Sequence, residues 1–475
     1  MGRVSASLPT AGNGCAIALG LNNCFVHSHY SARAVSEGRP PGQQPHSLPV
    51  VYSYSRPQAP RPSAVKQEKL LLYLLAAVQF TNILDFVIMM PLGPQLMPTL
   101  GIGPKQFGLV ISAYTFSAGI TGLAAAFFLD RFNRKTALLA LYLGFGLGTV
   151  ACALAPTYGW LVAARVLTGA FGGVLGSLVL ATVGDAVPEN RRGQAIGVVM
   201  GAFSVASVVG VPLGLFLASH YSWHLPFVVL GGLSLAIWAV IYFVMPDMRG
   251  HIGPRAVPFG ERAAAVFGLF RNSSVRFALL LTAVMMLGHF SVISFMSPYL
   301  VSNVGFTNVQ LSYVYLVGGA VTLVTSPLAG RLADRYGKVP VYTLFTLATV
   351  PVMLLITRLG SAPLPLVLLL TALLFGVSGR FVPATALATA VVPARQRGSF
   401  MSLNTSVQQL AAGTAAYLAG LIVVKTAGGS LLHFEWVGYL AVAGNLLSLL
   451  VVRRIRAAEP AAVPARVASM PVAAE

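Results

Sequence analysis

Acidic residues are almost missing from this chain. Its 475 residues include 12 aspartates and glutamates, and charged residues of both signs make up 9%. Soluble domains carry about 25% charged residues, so a water-exposed globular surface is excluded. Cysteine is scarce too. Cys15, Cys24 and Cys152 form an odd, scattered set. They offer neither a disulfide framework nor metal-ligand spacing, and each reads as an ordinary residue. There is no P-loop, no dinucleotide glycine pattern after a strand, no His-Glu-x-x-His helix and no nucleophile elbow. ATP-driven transport and hydrolytic catalysis therefore have no visible site. The chain is read as no enzyme, with no metal and no cofactor.

Hydrocarbon is what the chain has in quantity: 56% of residues are hydrophobic. About 20 apolar residues in succession span a bilayer, and from Leu70 onward twelve such segments follow one another. Six lie near 70–92, 106–129, 136–155, 158–182, 194–218 and 225–245. Six more lie near 275–300, 309–329, 340–359, 364–390, 399–424 and 435–453. The expected fold is an all-α integral membrane protein of twelve transmembrane helices. Residues 1–65, rich in Pro, Ser, Gly and Arg, are expected to be a disordered N-terminal tail. A six-helix bundle over 66–245, a polar cytoplasmic linker over 246–274, a second bundle over 275–455 and a C-terminal tail over 456–475 complete the organisation.

The formal net charge is +19. Its placement points to topology rather than to nucleic acid. Of 31 lysines and arginines, 26 fall in the tails and in alternate connections. Only Lys105, Arg358 and Lys425 fall in the opposite connections, and Arg165 and Arg380 fall inside helices. Cytoplasmic connections carry the excess of Lys and Arg. The expectation is a multi-pass protein of the cell (inner) membrane with both termini cytoplasmic.

The chain repeats itself. "LDRFNRK" follows the second apolar segment and "LADRYGK" the eighth, placing Asp130 and Asp334 204 residues apart. "PENRRG" and "PARQRG" recur at an offset of 205. A duplicated six-helix unit in one orientation makes two parallel bundles that rock about a midplane cavity.

Twelve helices in two halves, with "AFFLDRFNRK" and "GRLADRYGKV" after the second helix of each, resemble the major facilitator superfamily, and within it the bacterial drug:proton antiporter and arabinose-efflux-like permeases. The resemblance covers about residues 70–455. Ala126 and Asn133 stand where the family motif has glycines, whereas Gly330 and Gly337 keep them. "GVPLG" on the fifth helix, with Gly210, Pro212 and Gly214, resembles the antiporter motif with Val211 interposed. The resemblance implies a monomer in the lipid bilayer that moves a small-molecule substrate by alternating access, using protons.

Asp85, in "QFTNILDFVIMMPLGPQL", is the one acid well inside an apolar segment. A charge at the bilayer centre costs several kcal/mol, about 3 on insertion scales. Asp85 therefore faces a cavity or a partner. Desolvation favours its neutral form and a nearby cation its charged form, so a carboxylate moved between such environments carries protons. The alternative is a fixed tie between helices. Asp85 and Arg165 each lie seven residues from the same end of their segments. At about 1.5 Å per residue both sit about 10 Å below that surface, where they can meet. The resemblance links both to proton transfer; otherwise Arg165 snorkels to the interface.

Arg380 in "FGVSGRFVPATA" and His289 in "MMLGHFSVISF" are the other ionisable groups inside segments. Arg380 suits an anionic substrate or a backbone carbonyl. His289 suits titration near neutral pH or plain hydrogen bonding. Gln79, Asn82, Asn404 and Gln408 are expected to add polar cavity lining. Asp130, with Arg131, Arg134 and Lys135 nearby, sits at a helix C-terminus that disfavours an anion. The resemblance makes it a conformational latch, mirrored by Asp334 and Arg335; otherwise these charges only set topology. Gly201, Gly210 and Gly214 are expected to let helices approach closely, and Pro212 to bend its helix. The function expected is proton-coupled export of a small, largely apolar molecule. Proton symport for uptake, or a transporter-like membrane sensor, are the alternatives.

Overall fold

The structure, a computed structural model, describes residues 62–248, 259–393 and 396–455. Most of the expected N-terminal tail and all of the expected C-terminal tail lie outside the described residues. In the first half, α1 (Pro62–Ile88), a short α2 (Gly93–Thr99) and α3 (Pro104–Phe128) are followed by α4 (Arg134–Ala153) and α5 (Tyr158–Ala186). Then come α6 (Glu189–Val205), α7 (Val211–His220) and α8 (Leu225–Val244). A linker helix α9 (Phe259–Leu269) leads to α10 (Ser273–Ser302), α11 (Asn308–Tyr336) and α12 (Lys338–Ile356). The chain ends with α13 (Leu364–Val377), α14 (Phe381–Thr389), α15 (Arg397–Ile422) and α16 (Phe434–Val452). A hairpin of β1 (Val424–Lys425) and β2 (Leu431–Leu432) joins the last two.

Eleven helical spans among the described residues are long and apolar enough to cross a membrane. The twelfth crossing is α15, which has the length, 26 residues, but not the apolarity. Its sequence, GSFMSLNTSVQQLAAGTAAYLAG, holds the Ser, Asn and Gln that a lipid-facing helix avoids. It tolerates them because it lies along α3 on one side and α10 on the other.

Prolines set the breaks. α1 stops at Ile88, before Pro91 and short of the expected end at 92; the residue before a proline is pushed out of the helical region. α1 also begins earlier than expected, at Pro62, a residue suited to a first helical turn. Pro212 lacks the N–H that Val208 would accept, and the turn just before it, Ala206–Gly210, widens to a π-helix. Pro383 and two glycines accompany a tight 3-10 turn at Ser378–Arg380 between α13 and α14. The linker, read as merely polar, contains α9, whose Val266 and Leu269 are buried.

The repeat is legible in the helices. Pro104 of α3 and Asn308 of α11 start 204 residues apart, as do Arg134 of α4 and Lys338 of α12. At that register α10 matches α1 and α2 run together, and His289 stands where Asp85 stands in the first half.

The two pseudo-symmetric halves share one apolar core on the side that carries α2 and the hairpin. There Met90, Leu96 and Phe107 join Phe295, Met296 and Tyr299. Toward the α9 side each half has a core of its own, bridged by Leu123 of α3 against Phe400 and Leu403 of α15. The molecule is thus closed on the α2 side.

Candidate functional site

Three helices of the first half converge on Asp85. α5 crosses α3 through Gly169 and Gly173. A Cβ at Gly169 would lie 2.2 Å from the Tyr114 carbonyl oxygen, and one at Gly173 2.3 Å from that of Ala118. Only glycine permits this approach, and it sets Arg165, one turn before Gly169, level with Asp85 of α1.

Arg165 Nη1 donates to Asp85 Oδ2 at 2.7 Å, and neither side chain has any solvent exposure. Thr149 Oγ1 of α4 reaches Asp85 Oδ1 at 3.2 Å and its own helix at Phe145 O at 3.0 Å. The Arg165 guanidinium stacks over the Tyr114 ring, 4.4 Å from its centre. Its Nε and Nη2 have no hydrogen-bond partner among the described residues. Tyr114 donates to Asn82 Oδ1 at 3.0 Å, and Asn82 Nδ2 donates to Gly172 O at 3.2 Å. Asn82 is therefore part of this cluster. Tyr114 and Thr149 were not anticipated as members, since an isolated tyrosine and threonine in apolar helices carry no sequence signal. Cys152 is buried beside it, its sulfur 3.7 Å from Thr168 Oγ1.

The second half gathers differently. Arg380, in the turn between α13 and α14, is fully buried. Its Nη1 donates to Asn445 Oδ1 of α16 at 2.6 Å, and not to a backbone carbonyl. Asn445 Nδ2 in turn meets Met353 Sδ of α12 at 3.2 Å. His289 is half-buried, its ring 5.0 Å from that of Phe381. Asn404 accepts from Thr282 at 2.8 Å, which ties α15 to α10. Gln408 is half-buried on α15, and Gln79 on α1 holds Oε1 buried without a partner among the described residues.

The expected charge cluster is described without the Asp130 side chain. Arg134 is buried and pairs through Nε with Asp185 Oδ2 of α5 at 2.8 Å, an acid the sequence reading passed over because it sits at a helix end. Lys135 places its ammonium 5.9 Å from the centre of the Tyr242 ring. Arg131, Asp334 and Arg335 are exposed, with Arg335 over the Tyr336 ring at 5.2 Å. The Asp130 side chain lies outside those described. A second tie, Arg191 to Glu68 at 2.9 Å, joins α6 to α1.

The fifth-helix motif places two of its glycines in contact. A Cβ at Gly214 would sit 2.0 Å from Ile88 Cδ1, and one at Gly210 2.9 Å from the Leu84 methyl groups. Gly201 does not make the expected close approach: nothing among the described residues lies within 4 Å of its Cβ position, because α6 turns that face away from its neighbours. The π turn made by Pro212 meets the other half, where a Cβ at Gly319 of α11 would lie 2.9 Å from Ser207 C.

Sequence comparison matches the chain to the family described as the Major Facilitator Superfamily, over residues 75–324 and 278–471. The MFS-type transporter YbcL of Bacillus subtilis (strain 168) is 28% identical over 382 residues, covering 80% of this chain and 95% of that one. The MFS-type transporter YtbD of the same organism is 29% identical over 367 residues, covering 74% and 88%. Among solved structures, the nucleoside transporter NupG aligns with a TM-score of 0.66 at 13% identity, covering 82% of this chain and 99% of that one. A bacterial homolog of the human lysosomal transporter Spinster, inward-facing and unoccupied, aligns at 0.64 with 16% identity, covering 83% and 99%. At these identities the structural likeness shows the fold alone.

Proposed function

The chain belongs to the Major Facilitator Superfamily and is a membrane transporter, and from that premise we propose that it exports a small, largely apolar molecule in exchange for protons carried by Asp85. The observation that carries this reading is the ion pair of Asp85 and Arg165, closed off from solvent on every side. A buried pair is poor glue: replacing one by well-packed apolar residues is often neutral or stabilising by about 1–4 kcal/mol. An acid kept in the membrane at such cost fits a group that changes its protonation during work.

In this reading both termini and α9 face the cytoplasm, as the charge bias requires, and the α2 side faces outward. The structure then corresponds to a state sealed toward the outside. Reopening on the α2 side separates the α1 and α10 ends and admits water to Asp85. Protonation there turns an ion pair into a neutral acid beside a cation, which weakens the tie of α1 to α5. Opening toward the cytoplasm releases the proton, restores the pair and readies the site for substrate. Protons thereby bias the equilibrium between the two states. The π turn before Pro212, against Gly319 of α11, lies on the seam along which the halves shift, while Gly210 and Gly214 hold α7 against α1 within the first half.

The test is transport in membrane vesicles. With a lipophilic fluorescent dye that the wild type moves under an imposed pH gradient, Asp85→Asn is expected to bind the dye yet fail to move it uphill. Movement that ignores the pH gradient in the wild type sinks the reading.

A further inference from the structure

Three arginines are buried among the described residues. Arg134 has Asp185 and Arg165 has Asp85; Arg380 has no acid partner among the described residues. The second half from Ser273 to Ile455 contains two carboxylates in its sequence, Asp334 and Glu435. Asp334 is exposed at the end of α11, and Glu435 opens α16 beside His433 at 4.0 Å. Arg380 is nevertheless fully buried, with a single neutral partner, the Asn445 amide oxygen at 2.6 Å. Its Nε and Nη2 find no acceptor among the described residues. A buried cation without an opposite charge costs several kcal/mol, and a guanidinium with an unused Nε–Nη2 edge presents the fork that matches a carboxylate in two parallel hydrogen bonds.

The surroundings of that fork are aromatic. The Arg380 guanidinium lies 5.9 Å from the Phe381 ring, and Phe381 meets His289 at 5.0 Å. His289 meets Phe290 at 5.5 Å, and Phe290 crosses to Phe86 of the first half at 5.7 Å. Phe86 stacks on Tyr114 at 5.5 Å, and Tyr114 carries Arg165. An unbroken run of rings thus joins Arg380 to Arg165 across the halves. His289, Phe290, Phe86 and Phe381 are only half-buried, so each keeps free surface for an apolar body.

We propose that Arg380 receives the carboxylate of an amphipathic organic anion whose apolar or aromatic body lies on the rings between the halves. This rests on the reading of the chain as an exporter and names its substrate class: hydrophobic weak acids. The neutral partner Asn445 orients the guanidinium without cancelling its charge. The arrangement also gives the extra positive charge in the interior a purpose, since the loaded site becomes electrically neutral.

Binding is tested apart from transport, with purified full-length protein in lipid nanodiscs at neutral pH. The probes are benzoate, its neutral isostere benzamide, and sodium chloride alone. A ligand that binds only the folded state raises the melting temperature with the logarithm of its concentration relative to Kd. Benzoate is expected to give a rise that grows with the logarithm of its concentration in the wild type, and benzamide none at equal concentration. Arg380→Gln is expected to weaken benzoate roughly 30-fold or more, as for a lost buried charge pair, while Arg380→Lys keeps part of the response. Gly201→Ala, on a helix face that nothing among the described residues approaches within 4 Å, is expected to bind benzoate as the wild type does. Equal responses to benzoate and benzamide in the wild type overturn the proposal even if no Arg380 variant folds. A rise from chloride that benzoate does not extend also overturns it, since the site then holds a small inorganic anion. Failure of proton-driven export with benzoate binding intact removes only the exporter reading.

Discussion

Asp85 and Arg165 meet at 2.7 Å across α1 and α5, with neither side chain touching solvent. The contact depends on the glycines that let α5 cross α3. It also depends on Tyr114, which holds the guanidinium from below at 4.4 Å. The pair is coupled, and coupling is measurable in a double-mutant cycle. Arg165→Ala leaves a buried carboxylate alone and is expected to cost about 3–5 kcal/mol. Adding Asp85→Asn to it is expected to recover a large part of that loss, because no charge is then stranded. Thermal melting of the four proteins in detergent reads the cycle; simple additivity of the two changes would show that the residues do not act as a pair.

The glycines give a second, sharper contrast. Gly169→Ala places a methyl group 2.2 Å from a backbone oxygen, where no side-chain rotation relieves it. The helices must part, and Arg165 moves with them. This variant is expected to lose most of its transport and several degrees of melting temperature. Gly201→Ala meets nothing within 4 Å and is expected to be neutral or slightly stabilising, by up to about 1 kcal/mol from helix propensity. The pair is compared at equal membrane abundance, and equal effects from the two would contradict the packing described.

Much of this arrangement was visible in the sequence, for identifiable reasons. Apolar run length reveals spans, and Lys and Arg placement gives their alternation. Equal depth from one surface brought Asp85 and Arg165 to the same level. What sequence did not reveal is how lateral neighbours are chosen. Tyr114 and Thr149 carry no charge and no motif, so their places beside the pair emerge only from helix rotation. Asp185 escaped notice because a helix-end acid looks like a loop charge, yet it is the partner of Arg134. The segment 399–424 was counted among the apolar runs, although the polarity of α15 leaves it short of the apolar spans. Gly201 was grouped with Gly210 and Gly214 on residue type, and rotation of α6 separates it from them.

Topology is open to direct labelling. Tyr221 is 74% exposed in the connection between α7 and α8, and Ser361 is exposed between α12 and α13. Cysteine placed at either position, in a chain freed of its own cysteines, is expected to react with an impermeant maleimide in intact cells. Cysteine at exposed Asp334 is expected to react only after the membrane is opened. Reversed accessibility at Tyr221 and Asp334 would turn the molecule over and with it the direction of the proposed proton path.

The central claim is that Asp85 carries the proton, and uphill transport by Asp85→Asn is the measurement closest to it. The variant is expected to insert at normal abundance, since it removes a buried charge, and to retain substrate binding and downhill exchange. In vesicles with an imposed pH gradient it is expected to accumulate no substrate above equilibrium, where the wild type does. If Asp85→Asn still concentrates substrate in step with the pH gradient, the proton travels elsewhere and the Asp85–Arg165 pair is a tie between helices.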